Sequence, residues 1–193
     1  MNIKIVTERH YGENCYIIYE GGSGKCAVVD PASEIVLDEL KKLSLVPEFV
    51  LLTHGHFDHV SGVNALLAEY PVPVYVHETD AELLSDGYKN ASSLLIGESI
   101  TVLAEPKTLV AGEMIKLGGL EFTAVHTPGH TRGCVCYFCG EAVFTGDTVF
   151  AYDRGRTDLY GGDEATIINS IRTLLPMLKG KTIYPGHGQT RKF

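Results

Sequence analysis

Apolar and polar positions alternate at the start of the chain, where Ile3 and Ile5 sit between polar neighbours, and two short apolar runs follow at Cys15 to Tyr19 and Ala27 to Asp30. Period-two alternation and short apolar runs between turn residues are strand signals. Gly21, Gly22 and Gly24 mark the turn that makes the segment a hairpin or meander. The period then changes. From Glu34 to Leu45, Ile35, Val36, Leu40 and Leu43 recur at helical spacing, and Pro31 and Ser33 just ahead suit a helix start. Phe49 to Thr53 is expected to be a strand, because Pro47 stops the helix and the run ends in a histidine cluster. Val60 to Tyr70 predicts a second helix, and Val72 to Val76 a short strand that Pro73 moves toward a sheet edge.

From Asp86 to Glu105 the pattern is weak. Five short strands are expected after it, at Thr108 to Val110, Met114 to Leu117, Phe122 to His126, Val135 to Phe138 and Val143 to Thr145. A last helix starts near Asp163, read as its N-cap, with Ile167, Ile168, Ile171, Leu174, Leu175 and Leu178 on one stripe; Thr182 to Tyr184 is a final strand. Strand groups separated by helices in both halves predict an α/β (α+β) chain. No linker rich in Pro, Ser or charge divides it, so one domain over 1–193 is expected.

Composition narrows the function classes. A chain of 193 residues that is 45% hydrophobic and 21% charged lies outside the disordered class and buries about 70% of its unfolded surface. With 24 acidic against 16 basic residues the formal charge is −8, which disfavours a phosphate-tracking or polybasic membrane surface. Met1 to Glu8 has neither the apolar stretch of a signal peptide nor a transit-peptide bias, and no apolar run approaches the ~18 residues of a membrane span, so a cytoplasmic protein is expected. The five cysteines are an odd, sparse set and read as reduced thiols. Alternation sends Cys134 and Cys136 to one strand face and Cys139 to the other, as small buried hydrophobes rather than a metal or redox cluster.

The chemistry is concentrated in Thr53-His54-Gly55-His56-Phe57-Asp58-His59. Crowding three imidazoles and a carboxylate costs a fold dearly unless each finds a partner, and a metal ion supplies one. Three more segments carry single metal-type residues after a β-like run and a glycine: His130 in Thr127-Pro128-Gly129-His130-Thr131, Asp147 in Phe144-Thr145-Gly146-Asp147-Thr148, and His187 in Tyr184-Pro185-Gly186-His187-Gly188. Together they suggest two half-sites, one of His54, His56 and His130, the other of Asp58, His59 and His187, with Asp147 between them. Each ion would keep an open position for water or substrate. His10, His77 and His126 are expected to be surface or hydrogen-bonded histidines. Arg156 and Asp158 are expected to lock a loop as an ion pair, and Tyr152 and Tyr160 to flank the mouth of the site.

In the order HxHxDH (His54 to His59), His130, Asp147 and His187, the whole chain resembles the metallo-β-lactamase superfamily. The resemblance implies a four-layered αβ/βα sandwich with metals at one edge between two sheets. Glu13-Asn14-Cys15-Tyr16, the block Phe144 to Phe150, and Gly155-Arg156-Thr157-Asp158 followed by Gly161-Gly162-Asp163 resemble most the short glyoxalase II-like hydrolases. Asp147 stands where lactamases proper use a cysteine. Glyoxalase II proper has an acidic residue, a tyrosine and a glutathione-holding helical region after its last metal histidine; here Gly188 and Gln189 follow His187, and none of those contacts is carried over.

The expected function is that of a binuclear metallohydrolase that cleaves an acyl bond of a small molecule, a thioester first, with a metal-held hydroxide that Asp58 orients. Two divalent ions per chain are expected, zinc before iron or manganese. Three alternatives stay open: a mononuclear iron persulfide dioxygenase using His54, His130 and Asp147, a lactonase or nuclease of the superfamily, and a non-catalytic metal-binding module. No nucleic-acid or membrane partner is expected, and the oligomeric state is not legible.

Overall fold

The computed structural model describes every residue from Met1 to Phe193. Its strands form two six-stranded sheets. The first runs in chain order through β1 (Asn2–Thr7), β2 (Asn14–Tyr19), β3 (Lys25–Val29), β4 (Val46–Leu51), β5 (Val74–His77) and β6 (Lys107–Leu109). β1 to β3 are antiparallel, and β3 to β6 are parallel. The second sheet contains β7 (Met114–Leu117), β8 (Leu120–His126), β9 (Val135–Cys139), β10 (Ala142–Gly146), β11 (Thr182–Pro185) and β12 (Arg191–Lys192), in the order β12-β11-β10-β9-β8-β7. Only β10 and β11 pair in parallel there.

Alternation along each strand builds the layers. In β2, Tyr16 and Ile18 point between the sheets, where they meet Phe122, Tyr137 and Phe144 of the second sheet. Cys15 and Ile17 point the other way, onto a core shared with α1 (Ile35–Leu43) and α3 (Val63–Glu69) through Val36, Leu40, Val63 and Leu66. A strand covered on both faces needs apolar residues at every position, which explains the unbroken run from Cys15 to Ile18. On the far side of the second sheet, Cys136, Val143 and Ile183 pack against Leu174 of α5 (Glu164–Leu174) and Leu178 of the 3₁₀ turn after it. The result is the four-layered αβ/βα sandwich that the resemblance implied. The cysteines are all buried and free, with Cys136 and Cys139 on opposite faces of β9. Asp163 caps α5, its carboxylate accepting from Thr166 N at 2.7 Å.

Several local expectations need correction. Pro73 does not mark an edge: β5 lies between β4 and β6, and Pro73 precedes it with its carbonyl accepting from Val50 N at 2.9 Å. The strand read as Phe49 to Thr53 begins at Val46, so Pro47 lies within it at a register irregularity opposite Cys26, while α1 already ends at Leu43 with Ser44 left-handed. The helix read as Val60 to Tyr70 is two pieces, α2 (Phe57–Val60) and α3. Gly62 divides them, and a Cβ there would lie 2.7 Å from Pro31 O, so the chain crosses its neighbour too closely for a side chain. The weakly patterned stretch holds a short α4 (Ser92–Leu95), and a 3₁₀ segment, Glu78–Ser85, leads into it. No helix is long and apolar enough to cross a membrane.

Candidate metal centre

The ends of four strands deliver the seven predicted residues to one place. His54 follows β4, His56 precedes α2, and Asp58 and His59 lie in its single turn, so the HxHxDH spacing is a strand end running directly into a helix start. His130 comes from the loop after β8, Asp147 from the end of β10 and His187 from the end of β11. Three sets drawn from these seven could each hold a cation: His54, His56 and His130; His54, His59 and Asp147; Asp58, His59 and His187; a fourth set joins His59 to Glu13 and Asp30. His54, His56, His59, His130 and Asp147 are buried, whereas the side chains of Asp58 and His187 keep 18% and 26% exposure and reach the surface of the cavity above.

The hydrogen bonds aim the nitrogens inward. Asp30 accepts at Oδ2 from Thr53 Oγ1 at 2.6 Å, so the Thr53 hydroxyl is left to accept from His54 Nδ1 at 3.1 Å. His59 Nδ1 donates to Asp30 Oδ2 at 3.0 Å, and His130 Nδ1 donates to Arg156 O at 2.7 Å. Each of these rings therefore presents a lone pair at Nε2 toward the centre, the arrangement found around metal-bound imidazoles. His130 Nε2 lies 3.2 Å from His54 Nε2 and 2.8 Å from His56 Nδ1, so three nitrogens of one set crowd a single point. His59 Nε2 and Asp147 Oδ1 face each other at 3.5 Å, both buried and both without a hydrogen-bond partner. Convergent lone pairs and partnerless buried polar atoms are unfavourable without a cation, so the donor set fits divalent metal ions.

Electrostatics point the same way. Burial, then the neighbouring imidazoles, push His54 well below the usual histidine range and His56 down to about 3, which keeps both rings neutral as ligands must be. Burial opposes charge on His59 too, but the carboxylates of Asp147 and Asp58 outweigh it and raise its pKa well above the ordinary value. Asp147, in spite of burial, is held below the normal carboxylate range by His59. The carboxylates around His59 thus call for positive charge at this point, the demand that a bound cation would meet.

Three supporting residues were not singled out from the sequence. Asp30 ends the apolar run of β3 in a left-handed conformation and also accepts from Thr53 N at 2.7 Å, so it fixes His54 and His59 together. An acid closing a buried strand was its visible signal. Asp80, in the 3₁₀ segment, is buried and accepts from Gly55 N at 3.0 Å, Gly133 N at 2.7 Å and Thr131 Oγ1 at 2.7 Å, tying the loops of His54 and His130 together; it left no signal. Glu13 is fully buried, and its Oε1 lies 3.6 Å from His59 Nδ1. Asp30→Asn is expected to weaken the ion held by His59 roughly 10–100-fold. Chelator competition, read as ions retained per chain, checks this; unchanged retention would remove Asp30 from the metal support.

Other expectations can be placed as well. Arg156 Nε and Nη2 pair with the two carboxylate oxygens of Asp158 at 2.6 and 2.7 Å, the ion pair that was expected. His77 is buried and stacks on His126 with ring centroids 4.1 Å apart, away from the centre. Tyr152 and Tyr160 do not line the mouth: Tyr152 is exposed beneath Arg191, and Tyr160 OH donates to Glu82 Oε1 at 3.1 Å. In their place, Phe150 and Leu159 of the same loop face a cavity of about 420 Å³ whose floor is His56, Asp58, His130, Asp147 and His187.

Comparison with known proteins agrees with this geometry. A sequence model of the metallo-beta-lactamase superfamily matches residues 10–187. The hydroxyacylglutathione hydrolase GloC of Haemophilus influenzae is 34% identical over 194 residues, covering 97% of this chain and 91% of that protein. Among solved structures, the BLEG-1 B3 metallo-beta-lactamase superposes with a TM-score of 0.93 at 33% identity over 98% of this chain and 93% of that one. TTHA1623 in a di-iron-bound form gives 0.81 at 32% identity over 98% and 94%. A family match from the first turn to the last candidate ligand, and relatives aligned along nearly the whole chain, place this protein in the metallo-β-lactamase superfamily.

Proposed function

We propose that the protein is a binuclear metal-dependent hydrolase that cleaves the acyl bond of a small thioester. His54, His56 and His130 would hold one ion, Asp58, His59 and His187 the other, and Asp147 would stand between them. Divalent ions bound there supply Lewis acidity and bring the pKa of water from 15.7 toward ~7, which makes a nucleophile available at neutral pH. The observation that carries the reading is the convergence of seven metal-type side chains, five of them forming the floor of an open cavity with His54 and His59 buried beneath it.

The chain's own groups complete the chemistry. Asp30 and Arg156 O hold the tautomers of His59 and His130, so that both rings act as ligands and not as proton donors. Asp58 reaches the cavity floor with His187 Nε2 3.4 Å from its Oδ2, and its carboxylate is kept ionised by His59 and His187 against the penalty of burial. It can orient the attacking water and accept its proton. A thiolate leaves without prior protonation, which suits a cavity whose histidines are committed to the metal centre.

The test is metal quantification on the purified protein, with turnover assayed on a thioester, a lactone and a β-lactam before and after chelation. Two ions per chain, zinc the first expectation, and thioester hydrolysis that chelation abolishes are the expected results. One iron per chain with oxygen uptake on a glutathione persulfide would replace this reading with a dioxygenase. Bound metal without turnover would leave a binding module. Hydrolysis of the β-lactam alone would give this chain the chemistry named for BLEG-1.

A further inference from the structure

The walls of the cavity differ from its floor. Tyr11, Phe57, Leu95, Ile96, Phe150 and Leu159 enclose the space above the metal-type residues. They come from four separate places: the turn after β1, the motif helix α2, the end of α4 with the residue after it, and the loop between β10 and α5. Tyr11 packs edge-on against Phe57 with ring centroids 5.2 Å apart, which stiffens one side. Leu95 is 48% exposed and shares the cavity wall with Ile96, Phe57 and Leu159, so it adds open apolar surface to a contiguous patch rather than standing alone.

One lysine or arginine lines this cavity, Arg156. Its Nε and Nη2 already hold the Asp158 carboxylate at 2.6 and 2.7 Å, which leaves Nη1 as the one guanidinium nitrogen without a partner. A glutathione carrier brings two carboxylates, and holding them takes cations that are free to pair. The cavity wall offers apolar surface instead, and burial of apolar surface is the largest source of affinity it has.

Resting on the hydrolase reading above, we propose that the cavity selects its substrate by an uncharged apolar acyl chain, of medium aliphatic length or aryl, and not by a glutathione carrier. The chain lies against Phe57, Leu95, Ile96 and Leu159, with the scissile carbonyl over the floor. Water attacks that carbonyl, the carbon–sulfur bond breaks, and the products are a carboxylic acid and a free thiol.

The experiment compares kcat/KM of the metal-loaded protein on S-acetyl- and S-hexanoyl-N-acetylcysteamine and on S-lactoylglutathione. Each buried methylene is worth about fourfold, so the hexanoyl thioester is expected to exceed the acetyl one, and S-lactoylglutathione, by at least about tenfold. Leu95→Ser should lower the hexanoyl-to-acetyl ratio roughly fivefold, and a ratio does not depend on how much of the variant folds. A calorimetric arm on the metal-free protein uses S-hexyl- and S-methyl-N-acetylcysteamine and S-hexylglutathione. The uncharged hexyl thioether should bind about tenfold tighter than the methyl one with a negative heat-capacity change, and no weaker than its glutathione counterpart. Faster turnover of S-lactoylglutathione, or a hexanoyl-to-acetyl ratio near one, overturns the proposal while the hydrolase reading stands. If no thioester is cleaved the hydrolase reading fails instead, and the calorimetric arm then decides alone: equal binding of the hexyl and methyl thioethers overturns the apolar cavity.

Discussion

Asp58→Ala is expected to lower kcat/KM of the metal-loaded protein roughly 10²–10⁴-fold, the loss that follows removal of a group that positions water and takes its proton. The effect should be chemical, not structural. Asp58 sits at the cavity floor with 18% side-chain exposure and an electrostatic partner in His187, and it anchors no neighbouring loop. Circular dichroism and the melting curve should therefore stay near those of the parent. Asp58→Asn separates the two roles proposed for this side chain: its amide oxygen can still face a cation, but it cannot accept a proton at neutral pH. The amide variant should keep more metal than the alanine variant and still lose turnover. Parent-level turnover in either variant would take Asp58 out of the reaction.

Gly129→Ala is expected to cost about 3 kcal/mol of stability, from strain at a conformation that suits only glycine combined with overpacking. Gly129 has φ +130, and a Cβ on it would lie 2.2 Å from Ile167 N and 2.5 Å from Ile167 Cα. Neither atom can move cheaply, because Ile167 N donates to Asp163 O at 3.1 Å inside the first turn of α5. The loop cannot swing away either. Gly129 N donates to Thr131 O at 2.8 Å, and Gly129 O accepts from Asp163 N at 2.8 Å. For a chain of this size the cost corresponds to a melting point lower by about 6–12 °C. Gly188→Ala is the control: it also has positive φ, +80, but a Cβ there meets nothing within 4 Å, so only about 1 kcal/mol of strain is expected. Equal melting of the two variants would show that contact with α5 is not what demands a glycine at 129. Because His130 follows directly, the same variant should weaken metal binding in proportion to the loop's displacement.

The glycine ahead of each single candidate ligand was legible in the sequence, but its reason was not. Gly186 is the clearest case: a Cβ would stand 2.3 Å from Asp147 Oδ1 and 2.6 Å from His59 Cε1. The residue has to be small because two other segments, 39 and 127 positions away along the chain, pass through the same space. Sequence pattern reports such a constraint without naming its source. Asp80 shows the opposite situation. Nothing around it distinguishes it from a surface acid, yet burial under Gly55, Thr131 and Gly133 makes it the tie between two ligand loops.

The elements most readable beforehand were those whose residues answer to one local rule. Ile35, Val36 and Leu40 mark a helix because they must share a face, and Asp163 marks a start because its side chain caps the next turn. Where two rules compete, the sequence misled. Pro73 argued for an edge, but it sits one residue before β5 and its missing donor is never needed. Val60 to Tyr70 read as one helix because its apolar spacing continues through Gly62, and contact with Pro31 and Ser33 broke it.

By itself the sequence determined the identity, order and spacing of seven metal-type residues, and a layered α/β chain on whose strand ends they could lie. Those properties are carried by covalent order and by side-chain periodicity, which local physics can read. Only the tertiary structure decided that lone pairs on His54, His59 and His130 face one centre, that Asp30 and Asp80 support it, and that apolar walls stand above it. Each of these depends on residues far apart in the chain being brought within hydrogen-bond or van der Waals distance, and no local pattern encodes where such distant segments meet.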